Sequence, residues 1–305
     1  MKTIATALSA LQPVSQPGLV ARLRDFITLM KPRVMALAVF TALVGLASAP
    51  RQLDPLHAFA AVLAIAAGAG AAGVLNMWYD ADIDAIMTRT AMRPIPRGKV
   101  SRVEALVLGL ALAGFAIGLL AIAANLLAAA LLGGAILVYI GVYTAWLKRS
   151  TPQNIVIGGA AGAMPVLVGW AAVTNSLAWA PLVLFGVIFL WTPPHFWALA
   201  VKYKDDYEAA HVPMMPVVAT FRRTATEIIA YTVAMVALTL VLAPVAHLGA
   251  VYVVSAAVLG FGFVVMAVRL WIQATPKASM QLFSYSITYL TLLFVMMAVD
   301  VFVHH

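Results

Sequence analysis

The run from Leu56 to Tyr79, LHAFAAVLAIAAGAGAAGVLNMWY, holds no Lys, Arg, Asp or Glu and gives way at once to Asp80-Ala81-Asp82-Ile83-Asp84. An apolar stretch of roughly 20 residues is long enough to cross a bilayer, and a helix satisfies its own backbone in hydrocarbon. Similar runs recur at approximately 32–50, 102–123, 126–146, 154–174, 179–200, 225–243, 247–271 and 283–303. Nine spans are therefore expected. Composition agrees: the 305 residues are 64% hydrophobic and 10% charged, where a soluble domain carries roughly 25% charged. The fold class expected is an all-α integral membrane protein, a bundle of about nine transmembrane helices. A short arm over 1–24 is expected to precede one membrane domain over 25–305. The chain has no cysteine, which excludes disulfides, thiolate metal sites and a thiol nucleophile.

Charge orients the bundle. Eighteen of the nineteen Lys and Arg residues fall in the N-terminal arm and in alternate connections, and Arg51 alone lies on the other side. The positive-inside rule then puts the N-terminus in the cytoplasm and, with nine spans, the C-terminus outside. The net charge of +8 is a one-sided basic face suited to anionic membrane lipid, and nucleic acid is not an expected partner. Nine of the eleven acidic residues share that side, the exceptions being Asp54 and Asp300. No ionisable residue falls clearly at the middle of a span, where a transporter or pump would carry its ion path. The working surface is expected at the cytoplasmic membrane face.

Two acidic clusters stand out there. Asn76, Asp80 and Asp84 are four apart, so a helix stacks them on one face, with Asp82 pointing away. Carboxylates one turn apart repel, and Mg²⁺ is the cation that suits them: a hard ion held by one or two carboxylates that recruits phosphate oxygens. The loop that follows supplies Arg89, Arg93 and Arg97, whose guanidinium forks match phosphate. The second cluster, Lys202-Tyr203-Lys204-Asp205-Asp206-Tyr207-Glu208, closes another span in the same way. Facing one another, Asn76, Asp80, Asp84, Asp205 and Asp206 would hold two or more Mg²⁺ ions around one diphosphate. Lys202, and Lys148 and Arg149 at the end of span four, would add contacts to its oxygens, and Tyr143 would line the cavity wall. The bland account of the same residues is an interface of solvated acids, topology-setting cations and an aromatic belt.

Taken together these residues resemble the UbiA-type intramembrane prenyltransferases, whose signatures are an Asn-x-x-x-Asp-x-x-x-Asp row and a second Asp-rich helix end. Within the family the chain is most similar to the branch that farnesylates haem. The likeness rests on Thr28-Leu29-Met30-Lys31-Pro32-Arg33-Val34, on the run from Asn76 to Arg97 and on Tyr143 to Arg149. It rests as well on Trp191 to Ala200 and on Asp206-Tyr207 through Pro213-Met214-Met215-Pro216. Met77 replaces an Asp of broader relatives, Ala209 and Ala210 leave the second cluster short of a full Asp-x-x-x-Asp, and His211 stands where the haem branch commonly has Gly.

The resemblance implies Mg²⁺-dependent transfer of a farnesyl group from farnesyl diphosphate to a vinyl of haem b, with water addition, giving haem O. Asn76, Asp80, Asp84, Lys148 and Asp206 would be the catalytic set. His195 is the expected haem contact, or else a helix-packing histidine, and Arg33 would meet a propionate. A bacterial inner-membrane location, and a haem A synthase or terminal oxidase assembly as downstream partner, are implied as well. A sister enzyme acting on a quinone precursor or another aromatic or tetrapyrrole acceptor is the alternative within the family. A transporter or lipid-binding protein is the alternative outside it.

Overall fold

In a computed structural model the described residues are 18–304, and among them there is no strand. The first 17 residues of the expected arm, Lys2 among them, lie outside the described residues, as does His305. Helix α1 (Leu19–Leu29) runs across position 24/25 and meets α2 (Pro32–Ala47) at a 52° bend. The long helices that follow are α3 (Pro55–Tyr79), α5 (Arg102–Ala123), α6 (Leu126–Ser150), α7 (Asn154–Thr174), α8 (Trp179–Lys202), α11 (Phe221–Val245), α12 (Ala250–Gln273) and α13 (Pro276–His304). The short helices α4 (Ala81–Ile86), α9 (Lys204–Ala209) and α10 (Met215–Val218) fall in two of the connections. Among the described residues, eight helices are long and apolar enough to cross a membrane, and nine spans result if the bent α1–α2 pair counts as one.

Local chemistry starts these helices. Asp54 caps α3 by accepting from Leu56 N and His57 N, with Pro55 at the first helical position. Ser101 and Glu104 form a reciprocal capping box on α5, and Asn125 and Thr220 cap α6 and α11. Asp300, far off on α13, caps α12 through Gly249 N and Tyr252 N. Helix α6 departs from the regular pattern, since Val138–Leu147 is π-helical. Residues 221–224 and 276–282 join helices that hydropathy alone begins later, because polar side chains at a membrane face do not interrupt backbone hydrogen bonding.

Three apolar clusters build the core among the described residues, the smallest gathering Leu29, Val74, Met77 and Ala105 beside the acidic end of α3; the other two are larger. One joins α2, α3, α5, α6 and α7; the other joins α7, α8, α11, α12 and α13. In lipid, close backbone approach replaces the hydrophobic drive between helices, and α2 and α7 show it. A Cβ on Gly45 would lie 2.0 Å from Val166 O, and one on Gly169 would lie 2.0 Å from Ala42 O. Ion pairs between distant segments gather at one end of the bundle. Arg22 reaches Glu104 at 2.5 Å, Lys99 reaches Asp25 at 3.5 Å and Arg149 reaches Asp82 at 2.8 Å. The acidic ends of α3 and α8, one from each half of the core, meet there.

Candidate active site

The first acidic row straddles a helix break. Helix α3 ends at Tyr79, yet the hydrogen-bond ladder carries on through Asp80 N to Asn76 O (2.9 Å) and Asp84 N to Asp80 O (2.8 Å). Asn76, Asp80 and Asp84 are accordingly kept on one face, each at most 3% exposed, while the Asp82 side chain is 55% exposed. Buried carboxylates need partners, and each of these has a cation of its own. Lys148 Nζ donates to Asp80 Oδ2, and Arg93 Nη1 donates to both oxygens of Asp84 at 2.8 and 2.7 Å. Arg149 grips Asp82 through two bonds of 2.8 Å, the main reason that its carboxyl is drawn down from 3.8 to about 2. Neutralisation comes from the chain's own lysine and arginines.

The π-helical stretch of α6 aims the side chains that meet this row. Such a segment loosens the turn and is frequent at functional sites. Thr144 Oγ1 bonds back to Tyr139 O at 2.7 Å and accepts from Asn76 Nδ2 at 2.9 Å. Four residues on, Lys148 reaches Asp80. Tyr143 stacks on Tyr139 with ring centroids 5.5 Å apart and lies against Gly158 of α7.

The second cluster reaches the first through the arginine-bearing loop. Helix α8 stops at Lys202 and α9 restarts at Lys204, so Asp206 belongs to a new helix. Thr88 Oγ1 donates to both oxygens of Asp206 at 2.8 Å, and Arg89 N donates at 3.2 Å. Burial pushes the Asp206 carboxyl up, but these bonds together hold it below its usual value. Asp205 is exposed. Arg89 lies over the Tyr203 ring at 5.6 Å and Lys202 lies over it at 5.3 Å. Arg97 Nη1 donates to Met92 Sδ at 3.6 Å, and Arg33 is exposed.

His195 is built into the packing of α8 on α13. Its Nδ1 pairs with Ser286 Oγ at 2.6 Å, and its faces stack on Trp191 and Phe283 with centroids 4.2 and 4.5 Å away. Three further site residues escaped the sequence reading: Lys31, Thr144 and Thr88. Lys31 Nζ donates to Asn76 Oδ1. The sequence around Lys31 and Thr144 was noticeable, but their contacts are 45 and 68 positions away, beyond any local pattern.

The donor set fits a hard divalent cation. Asn76, Asp80 and Asp84 offer oxygen, and Asp80 Oδ1 is buried with no hydrogen bond, Arg149 Nη2 standing 3.7 Å away, a costly state that a closer cation would relieve. Among the described residues no group of three or more His, Cys, Asp or Glu side chains could hold an ion unaided. Mg²⁺ asks for fewer protein ligands, one or two carboxylates, and completes its shell with substrate phosphate and water.

The chain is similar to known proteins in sequence and in fold. Residues 38–295 match the model of the UbiA prenyltransferase family. A protein of Parvibaculum lavamentivorans called protoheme IX farnesyltransferase is 53% identical over 281 residues, covering 91% of this chain and 88% of that protein. Among solved structures, a digeranylgeranylglyceryl phosphate synthase superposes with a TM-score of 0.76 at 17% identity, over 92% of this chain and 98% of its own. A UbiA homologue of Archaeoglobus fulgidus bound to GPP and Mg²⁺ superposes with a TM-score of 0.64 at 16% identity, over 90% of this chain and 99% of its own.

Proposed function

The chain belongs to the UbiA prenyltransferase family, and from that premise we propose that it moves a farnesyl group from farnesyl diphosphate to a vinyl of haem b, giving haem O and diphosphate. What carries the reaction type is the pairing of every buried acid at the site with a lysine or arginine able to take a diphosphate oxygen. What supports the acceptor is the relative named for protohaem, at 53% identity over most of both chains. The reading includes Mg²⁺ dependence, a bacterial inner-membrane location, a site that faces the cytoplasm, and a haem A synthase or terminal oxidase assembly that receives the product.

Asn76, Asp80 and Asp84, with Asp206 across the site, are the residues that would hold Mg²⁺. When bound, that ion supplies charge neutralisation of the diphosphate and so makes it a better leaving group. Lys148, Arg149, Arg93 and Arg89 are placed to share the negative charge that grows on the departing oxygen as the allylic C–O bond breaks. The vinyl π electrons then form the new C–C bond, water adds to the resulting cation, and one proton leaves to the medium. No enzyme nucleophile is required. Nε2 of His195 and the Arg33 guanidinium are the groups offered to the haem, at its iron and a propionate.

The test is to incubate purified protein with Mg²⁺, farnesyl diphosphate and haem b and weigh the porphyrin products. A hydroxyethylfarnesyl haem is expected, and Asp80→Asn should lower its rate about 10²- to 10³-fold with the melting profile retained. Transfer to a quinone precursor in place of haem would move the assignment to the sister activity, and full haem O formation by Asp80→Asn would end the metal reading.

A further inference from the structure

Lys31 is a cationic site residue that the proposed reaction leaves without a task. It stands at the α1–α2 break with φ 54° and ψ 63°, a left-handed conformation that a side chain adopts only when its surroundings impose it. Proline at 32 steers its predecessor towards extended backbone, which adds to the conflict. The seat that imposes it is on α3. A Cβ on Gly73 would lie 2.9 Å from Met30 O, and one on Gly70 would lie 2.6 Å from the Met30 side chain. One turn beyond Gly73 on α3 is Asn76, whose Oδ1 accepts from Lys31 Nζ.

That bond decides which way the Asn76 amide faces. Nδ2 is spent on Asp80 Oδ2 and Thr144 Oγ1, both at 2.9 Å, so the carbonyl oxygen faces the ammonium. A hard cation bound through Asn76 needs that same oxygen, and an ammonium and a divalent ion repel at such range. Lys148 on Asp80 and Arg93 on Asp84 extend the pattern. A bare ion would displace these cations with no anion to receive them, whereas a diphosphate brings oxygens that can.

We propose that Lys31 is a positioning residue that keeps bare divalent metal off Asn76, so that metal enters the site only with the diphosphate. The assignment rests on the metal and diphosphate reading given above. It implies ordered binding, and it gives the strained break a purpose: the backbone of Lys31 is fixed, and only its side chain must swing from amide to phosphate.

Mn²⁺ binding to the detergent-purified full chain, followed by electron paramagnetic resonance without any diphosphate, tests it. Lys31→Met should bind Mn²⁺ about tenfold to a hundredfold more tightly than the wild type, the worth of one charge-assisted hydrogen bond. Lys31→Arg, which keeps the charge, should bind as the wild type does. Should Lys31→Met fail to fold, Lys31→Gln is read on the same scale. A merely structural lysine would leave Mn²⁺ affinity unchanged or weakened, and either result overturns the proposal while the metal reading stands. If the wild type takes up no Mn²⁺ even with unreactive farnesyl thiodiphosphate present, the metal reading falls and this inference with it.

Discussion

At the residue scale, His211 shows how a local rule bends without breaking the fold. Helix α9 ends in a Schellman arrangement, with His211 N on Glu208 O at 3.0 Å and Val212 N on Tyr207 O at 2.9 Å. That motif needs left-handed backbone, and His211 supplies it at φ 52°. The turn usual to a glycine therefore forms with histidine in its place, the buried Tyr207 and Val212 side chains holding it shut. Glycine at 211 should relieve the conflict, and the gain is reduced by the freer unfolded chain. His211→Gly is expected to stabilise the protein by about 1 kcal/mol, seen as a higher melting temperature in detergent. The acidic row was legible at this scale because spacing alone sorts a helix face. Lys31 and Thr144 were not, because their roles exist only once other helices arrive beside Asn76.

At the element scale, tight crossings and ionic clips do different work. Gly45 and Gly169 let α2 and α7 touch backbone to backbone. A methyl group at either place must push carbonyls aside, so Gly169→Ala should destabilise by about 1–3 kcal/mol, read as a lowered melting temperature. The small-residue run 154–165 announced close packing on α7, but nothing local told which glycine would meet which helix. The clip from α4 to the end of α6, Asp82 with Arg149, should be visible in pH dependence. Its folded pKa of about 2 lies below the ordinary 3.8, so its stabilisation is complete above pH 3.8 and is lost as pH falls through about 2. Melting temperatures of the wild type and Asp82→Asn should differ at pH 5 and converge as pH approaches 2. The π-helical stretch of α6 was invisible in sequence, since apolar residues suit α and π turns alike.

At the scale of the whole molecule, ion pairs between distant segments gather at one end of the bundle, the face on which the proposed reaction would take place. The absence of cysteine makes topology testable by single substitutions into an unmarked background. Cysteine placed at Lys99 or at Lys204 should react with a membrane-impermeant maleimide from the cytoplasmic side of oriented vesicles, and cysteine at Arg51 only from the other side. Labelling of Arg51→Cys and Lys99→Cys from the same side would contradict the alternating topology.

What the sequence by itself determined was the membrane bundle, the approximate limits of most of its long spans, and the gathering of acids and cations at one end; the bent pair α1–α2, which makes the count eight or nine, and the short helices α4, α9 and α10 were not in it. Hydrocarbon length and helical periodicity are local quantities, so a linear chain can state them. What only the tertiary structure decided is which cation belongs to which acid. Lys148 takes one oxygen of the buried Asp80 while Arg149 stands 3.7 Å from the other, Arg93 takes Asp84, Lys31 takes the amide of Asn76, and Asp206 is held by Thr88 and Arg89. Those pairings depend on how two halves of a bundle meet and where helices break, and burial makes each one matter: a carboxylate removed from water has to find its partner among whatever the fold brings near.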